Sequence, residues 1–132
     1  MSVTINHQTN DISASSGALT IDGAPLGGGV NIGTIVSGAT ITASSDNTNY
    51  HITALAENAT IAAPSGSPAD GNRLIYRFKD NGTSRTLTWD AIFRAIGTTL
   101  PTATSAGKVM YVGTIYNNQD SKWDVISVTV EI

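Results

Sequence analysis

The sequence predicts an all-β protein, an antiparallel jelly-roll-like β-sandwich with an extended N-terminal arm. Apolar and polar residues alternate in many short runs, which is the period of a half-buried strand. Glycine, asparagine, aspartate and serine separate these runs at intervals of about ten residues, a spacing typical of a sandwich or barrel. The only helical candidate, residues 91–96, is too short for a stable helix by itself.

The composition fits one domain of 132 residues that folds without covalent staples. A chain of this length buries roughly two-thirds of its unfolded surface, which is enough for a core. There is no cysteine, so disulfides and thiolate metal sites are excluded. Apolar residues make up 40% of the chain, which favours collapse over disorder.

Charge is scarce and unevenly distributed. Charged residues make up 13% of the chain, about half the usual ~25%. The net charge of −3 gives no electrostatic reason to expect a nucleic-acid partner. Every basic residue lies at or after Arg73, so the first part of the chain is acidic and the second is basic. Opposed halves would attract between neighbouring subunits, and the alternative is chance in a charge-poor chain.

No targeting or membrane segment is predicted. The first residues lack the basic start and apolar stretch of a signal peptide. No apolar run approaches the ~18 residues that a membrane helix needs. We therefore expect the protein to be made in the cytoplasm, without a membrane partner.

Residues 1–29 are expected to form the arm, and residues 30–132 the sandwich domain. The arm holds two short strand-like pieces and ends in three consecutive glycines, which predict a flexible joint. Two short strands cannot sustain a fold alone, so their apolar side chains need a partner. We expect the arm to attach to a partner protein by strand addition through Val3, Ile5, Leu19 and Ile21. An ordinary first hairpin of the same sandwich is the alternative.

Residues 30–43 leave a second architecture open. Apolar residues recur there at about every second position, which also fits stacked turns of a short solenoid. No fixed repeat continues past this segment. The sandwich therefore stays the leading prediction and the solenoid the alternative.

Two hairpins are predicted in the second half of the chain. Residues 73–79 and 84–89 are predicted to pair across a turn at Asp80-Asn81-Gly82, a strong tight-turn signal. Residues 108–116 and 122–130 form two longer alternating runs, and the five residues between them are rich in types that tolerate turns.

The C-terminal part carries short motifs in a fixed order. They are Leu87-x-Trp89, Gly97-Thr-Thr-Leu100-Pro101, Ala106-Gly107-Lys108, Tyr111-x-Gly113-x-x-Tyr116-Asn117 and Asp120-Ser121-Lys122-Trp123-Asp124. With these motifs, residues 50–132 resemble the C-terminal β-sandwich of tailed-bacteriophage surface proteins, which include tail-fibre, head-fibre and capsid-decoration proteins. The resemblance implies a module that assembles on a virion, often as a homotrimer, with the major capsid protein or other virion proteins as partners.

Candidates for catalysis or metal binding are few. His7 and His51 have no acid at a spacing that suggests a triad or a metal site. An acid pair for glycoside hydrolysis would have to come from four aspartates, which are Asp80, Asp90, Asp120 and Asp124. Their contexts are those of turns and strands. We therefore expect no catalytic, cofactor or metal site and no enzymatic activity.

The leading functional prediction is a trimeric capsid-decoration protein of the cement or head-fibre type, located in the virion. A chain of this length with its own Met1 is expected to be a whole gene product, which favours decoration over a long tail fibre. The alternative is a tail-fibre or baseplate protein whose loops, residues 64–72 and 117–121, bind a glycan of the host surface. A bacterial surface module is a third possibility, which the lack of a signal peptide disfavours.

Overall fold

The computed structural model describes residues 30–132 in full and, before them, only the backbone of four short strands. All regular elements of the described residues are strands. In chain order they are β1 (Val3–Asn6), β2 (Asp11–Ala14), β3 (Thr20–Ile21), β4 (Ala24–Pro25), β5 (Ile32–Ile35), β6 (Thr40–Ile41), β7 (Asn49–Leu55), β8 (Ala59–Ile61), β9 (Arg73–Asp80), β10 (Leu87–Trp89), β11 (Phe93–Ala95), β12 (Val109–Asn117) and β13 (Lys122–Val130).

The strands from β5 onward form two sheets. The large sheet has six strands in the order β11-β13-β12-β9-β7-β5, and the small sheet has three in the order β10-β8-β6. Before them, β1 pairs with β2 and β3 with β4 in separate antiparallel pairs. The prediction of an all-β protein is confirmed.

The strands from β5 to β10 pair in parallel within their two sheets. β5, β7 and β9 run parallel in the large sheet, and β6, β8 and β10 run parallel in the small one. The pairs β5/β6, β7/β8 and β9/β10 are therefore three stacked turns of a short coil. A parallel bridge between Ser44 and Ser65 joins the first two turns on a further side.

The antiparallel jelly roll is consequently not confirmed. Alternation determines which face of a strand is buried, but it does not determine the direction of the neighbouring strand. The hairpin predicted at Asp80-Asn81-Gly82 is wrong for the same reason, because β9 and β10 lie in different sheets. That turn carries the chain from the large sheet to the small one.

The C-terminal hairpin is confirmed and closes the stack. β12 pairs antiparallel with β13 along its length and antiparallel with β9 on its other side. The register between β12 and β13 shifts beside Gly113, which leaves Ile126 as an unpaired bulge residue. This bulge places Val128 on the core side, whereas strict alternation along β13 would place it on the outer side with Ile126.

The core lies between the two sheets. The large sheet contributes buried side chains from alternate positions of its central strands, and the small sheet contributes aliphatic residues. The buried apolar residues are Ile41, Ala43, Ile52, Leu55, Ala59, Ile61, Leu74, Tyr76, Phe78, Leu87, Phe93, Met110, Val112, Trp123 and Val125. An aromatic cluster occupies the centre, where Tyr76 packs against Tyr50, Phe78, Trp89 and Phe93 at ring-centroid distances of 5.9 to 6.3 Å.

Removal of the Tyr76 hydroxyl tests how this core is packed. The side chain is fully buried, and its hydroxyl has no hydrogen-bond partner among the described residues. A buried hydroxyl without a partner costs roughly 1–3 kcal/mol. We expect Tyr76→Phe to leave the free energy of unfolding unchanged or to raise it by about 1 kcal/mol, measured by urea denaturation. The control Tyr76→Ala, which leaves a cavity, should cost about 3–5 kcal/mol. A loss above about 1 kcal/mol in Tyr76→Phe would show that the hydroxyl is hydrogen-bonded.

Candidate functional site

The predicted attachment residues lie at the start of the chain. Val3 and Ile5 belong to β1 and Ile21 to β3, while Leu19 and the histidine His7 lie outside the described residues. Attachment through these residues stays a prediction.

The two loops proposed for glycan binding lie side by side at one end of the large sheet. Gly71 donates its N–H to the carbonyl of Tyr116 at 2.9 Å, and Tyr116 donates its own N–H to the carbonyl of Asn72 at 2.8 Å. The Asp70 carboxylate accepts a hydrogen bond from the N–H of Asn118 at 2.9 Å. The loops of residues 64–72 and 117–121 therefore form one surface, which we term the loop end.

One arginine, Arg94, binds two carboxylates at or beside the loop end, those of Asp120 and Asp124. Arg94 on β11 makes two hydrogen bonds to Asp124, from Nε at 2.8 Å and from Nη2 at 3.1 Å, and its Nη1 lies 2.9 Å from the Asp120 carboxylate. Hydrogen bonds from Arg94 hold the pKa of Asp124 below its usual value, and those same bonds raise the pKa of Arg94. Asn117 donates to both carboxylates at 3.3 and 3.5 Å. The sequence indicated Asp120 and Asp124, but it carried no local signal for Arg94, which comes from a distant strand.

Next to this ion pair lies a shallow depression of about 380 Å³. Its lining combines polar groups with the sides of Ile115 and Tyr116; the polar members are Asp70, Asn117, Gln119 and Asp124. Carboxylates and amides that face solvent beside an apolar surface are the groups with which proteins hold a polar ligand.

The other two candidate carboxylates, those of Asp80 and Asp90, accept hydrogen bonds from backbone N–H groups. Asp80 is buried, and it accepts hydrogen bonds from the Thr104 hydroxyl at 2.6 Å, from the N–H of Gly107 at 2.7 Å and from the N–H of Gly82 at 2.9 Å. Burial opposes its ionisation, but these bonds and the charge of Arg85 hold the pKa of Asp80 below its usual value.

Asp90 accepts a hydrogen bond from the N–H of Ile92 at 2.9 Å and thereby holds the turn before β11. A general acid for glycoside hydrolysis needs a raised pKa. The pKa values of Asp80 and Asp124 are lowered instead, so neither is suited to donate a proton near neutral pH. Within the described residues, no group of three histidine, aspartate or glutamate side chains is placed to hold a metal ion.

A third feature is the free edge of the large sheet at β5. Among the strands that the structure describes, β5 pairs with β7 alone. Ile32 on this strand is 51% exposed, and Val30 and Val36, which flank the strand, are 66% and 64% exposed. An open strand edge with aliphatic side chains is a surface that proteins normally protect or use for pairing. We term these three residues the β5 edge.

Comparisons with protein-family models, with curated proteins and with solved structures found no match to this chain. In the part of the chain that the structure describes, no helix is long and apolar enough to cross a membrane.

The buried Asp80 carboxylate makes stability depend on pH. Its pKa in the folded state lies below its value in the unfolded state, so its contribution is complete above the ordinary pKa of 3.8 and is lost as the pH falls through the folded value. We expect Asp80→Asn to be less stable than wild type at pH 7 and the difference to shrink towards pH 3, in urea unfolding.

Asp46→Asn serves as the control, since the exposed Asp46 side chain makes no hydrogen bond among the described residues. A constant difference between Asp80→Asn and wild type across this pH range would contradict the assignment.

Proposed function

We propose that this chain is a non-enzymatic structural protein of a bacteriophage virion, which forms a trimer and decorates the capsid. The β5 edge is the observation that carries the proposal, together with the resemblance of residues 50–132 to phage surface modules. Three exposed aliphatic side chains, beside a strand edge that no other described strand pairs with, support a role in which another protein surface covers them.

The mechanism of such a protein is mass action. A decoration protein binds the assembled shell and not the free capsid subunits, so each occupied site adds its binding free energy to the stability of the shell. This role requires rigid surfaces and no chemistry. The low charge of the chain also suits close packing among copies, because few charges have to be desolvated at contacts.

A specific observation favours a second candidate, a tail-fibre or baseplate protein that binds a host-surface glycan. The two loops that the sequence indicated for glycan binding are hydrogen-bonded to one another, and together they line the depression beside Arg94. In this candidate the hydroxyls of a sugar would pair with Asp70, Asn117 and Gln119.

The oligomeric state tests the β5 edge. We expect the full-length protein to have the mass of a trimer in light scattering, and Ile32→Asp with Val36→Asp to lower that mass to a monomer, because two buried charges would oppose association. Ile126→Asp is the matched control, since Ile126 is 55% exposed on β13, away from β5. A monomeric wild type would overturn the trimer, and equal effects of both variants would overturn the assignment of the β5 edge.

Location on the particle tests the function itself. Antibodies against the protein, detected with gold in electron micrographs, should label the heads of virions from the phage that encodes it. Deleting residues 1–29 should abolish rebinding to stripped heads and leave the trimer intact, because we place attachment at Val3, Ile5, Leu19 and Ile21. Label on the tail would favour the glycan-binding candidate, and unlabelled virions would overturn both.

A further inference from the structure

The outer face of the large sheet carries cations without acidic partners. Alternate residues of β9 point away from the core, so Arg73, Arg77 and Lys79 share this face with Ile75. The ion pairs of residues 30–132 all involve Arg94, so these three cations have no carboxylate partner there. Three of the seven basic residues of a charge-poor chain thus lie on one strand face.

Aromatic and polar side chains flank the central cation. The strand registers align His51, Arg77 and Tyr111 in one row across β7, β9 and β12, with neighbouring strands about 4.8 Å apart. Tyr111 is 44% exposed. Burial and the charge of Arg77 lower the pKa of His51, so the imidazole is neutral at pH 7 and offers a hydrogen bond rather than a charge.

A second depression, of about 500 Å³, adjoins this row. Lys79 and Tyr111 line this depression together with the aliphatic side chains of Val109 and Val130. Its one acid, Glu131, accepts a hydrogen bond from the N–H of Val109 at 3.0 Å. The depression therefore combines an exposed phenol ring, a cation and an apolar surface.

We propose that the outer face of the large sheet binds a linear acidic polysaccharide, with Arg77 and Lys79 on its anionic groups and Tyr111 against a sugar ring. The geometry favours an extended ligand, because residues two apart on a strand are about 6.6–7 Å apart and Arg73 to Lys79 spans about 20 Å. Ile32 of the β5 edge borders the same face two strands away, in register with Ile75. The proposed contacts use β9 and β12 and involve neither Ile32 nor the two loops, so the site stands independently of the proposed function.

The charge balance separates a polysaccharide from nucleic acid. Duplex DNA carries one negative charge per about 1.7 Å, and its binding relies on many cations. A chain with a net charge of −3 and three aligned cations repels such a dense polyanion as a whole. A polysaccharide with sparser acid groups meets the cations with less repulsion, and its rings can use the exposed face of Tyr111.

Calorimetric titration with alginate, a polyuronate, tests the proposal, with neutral dextran as the uncharged control. We expect alginate to bind and dextran not to bind. Arg77→Gln should weaken alginate binding about tenfold, the size of a lost charge-assisted hydrogen bond. Lys122→Gln is the matched control, because it makes the same change in net charge and the Lys122 ammonium already donates a hydrogen bond to the carbonyl of Ala91. It should alter alginate binding less than about twofold.

Further measurements distinguish a polysaccharide from an acidic polypeptide, from DNA and from a second copy of the chain. Tyr111→Leu should weaken alginate binding but not the weaker binding of polyglutamate, which has carboxylates and no sugar rings. Absence of alginate binding, or equal losses in Arg77→Gln and Lys122→Gln, would overturn the proposal. Tighter binding of duplex DNA or polyglutamate than of alginate would also overturn it, as would a lower oligomer mass for Arg77→Gln, which would make this face a contact between copies.

Discussion

The packing of Tyr76 between the two sheets is the interaction on which the described fold depends. Its ring lies at the centre of an aromatic cluster that joins β7 and β9 of the large sheet to the small sheet and to β11. No disulfide assists this contact, because the chain has no cysteine. The indole of Trp89 donates a hydrogen bond to the carbonyl of Pro101 at 2.8 Å, so the polar part of that ring is satisfied while its faces pack in the cluster. The two sheets are held apart by aromatic rings and cannot slide without disrupting them.

Features that depend on neighbouring residues in the sequence were predictable, and features that depend on distant residues were not. The buried faces of β9 and β12 follow from alternation, and the C-terminal hairpin follows from two long runs joined by a short polar loop. The parallel stack was not predictable in the same way. Its turns differ in length, so the sequence has no fixed period that would indicate a repeat. Asp80-Asn81-Gly82 illustrates the limit. Its residues do make a turn, but the bonds from Thr104 and Gly107, far along the chain, determine where that turn leads.

The same limit applies to the candidate sites. The loops of the loop end were recognisable from their composition, whereas their contact depends on hydrogen bonds between segments that are distant in sequence. The β5 edge is visible only once the strand order shows that no other described strand pairs beyond it. The row of His51, Arg77 and Tyr111 arises from the registers of three strands that are separate in sequence. Sequence patterns thus located strands and turns, and the registers decided which side chains meet.

The stack of turns has two unlike ends. At one end the antiparallel hairpin of β12 and β13 terminates the parallel ladder, and at the other both β5 and β6 are edge strands of their sheets. Insertion or loss of whole turns at the second end would leave the hairpin and its contacts untouched. Each inserted turn would lengthen the module by about 4.8 Å, the spacing of neighbouring strands. The length of such a stack is therefore set in fixed steps by its number of turns.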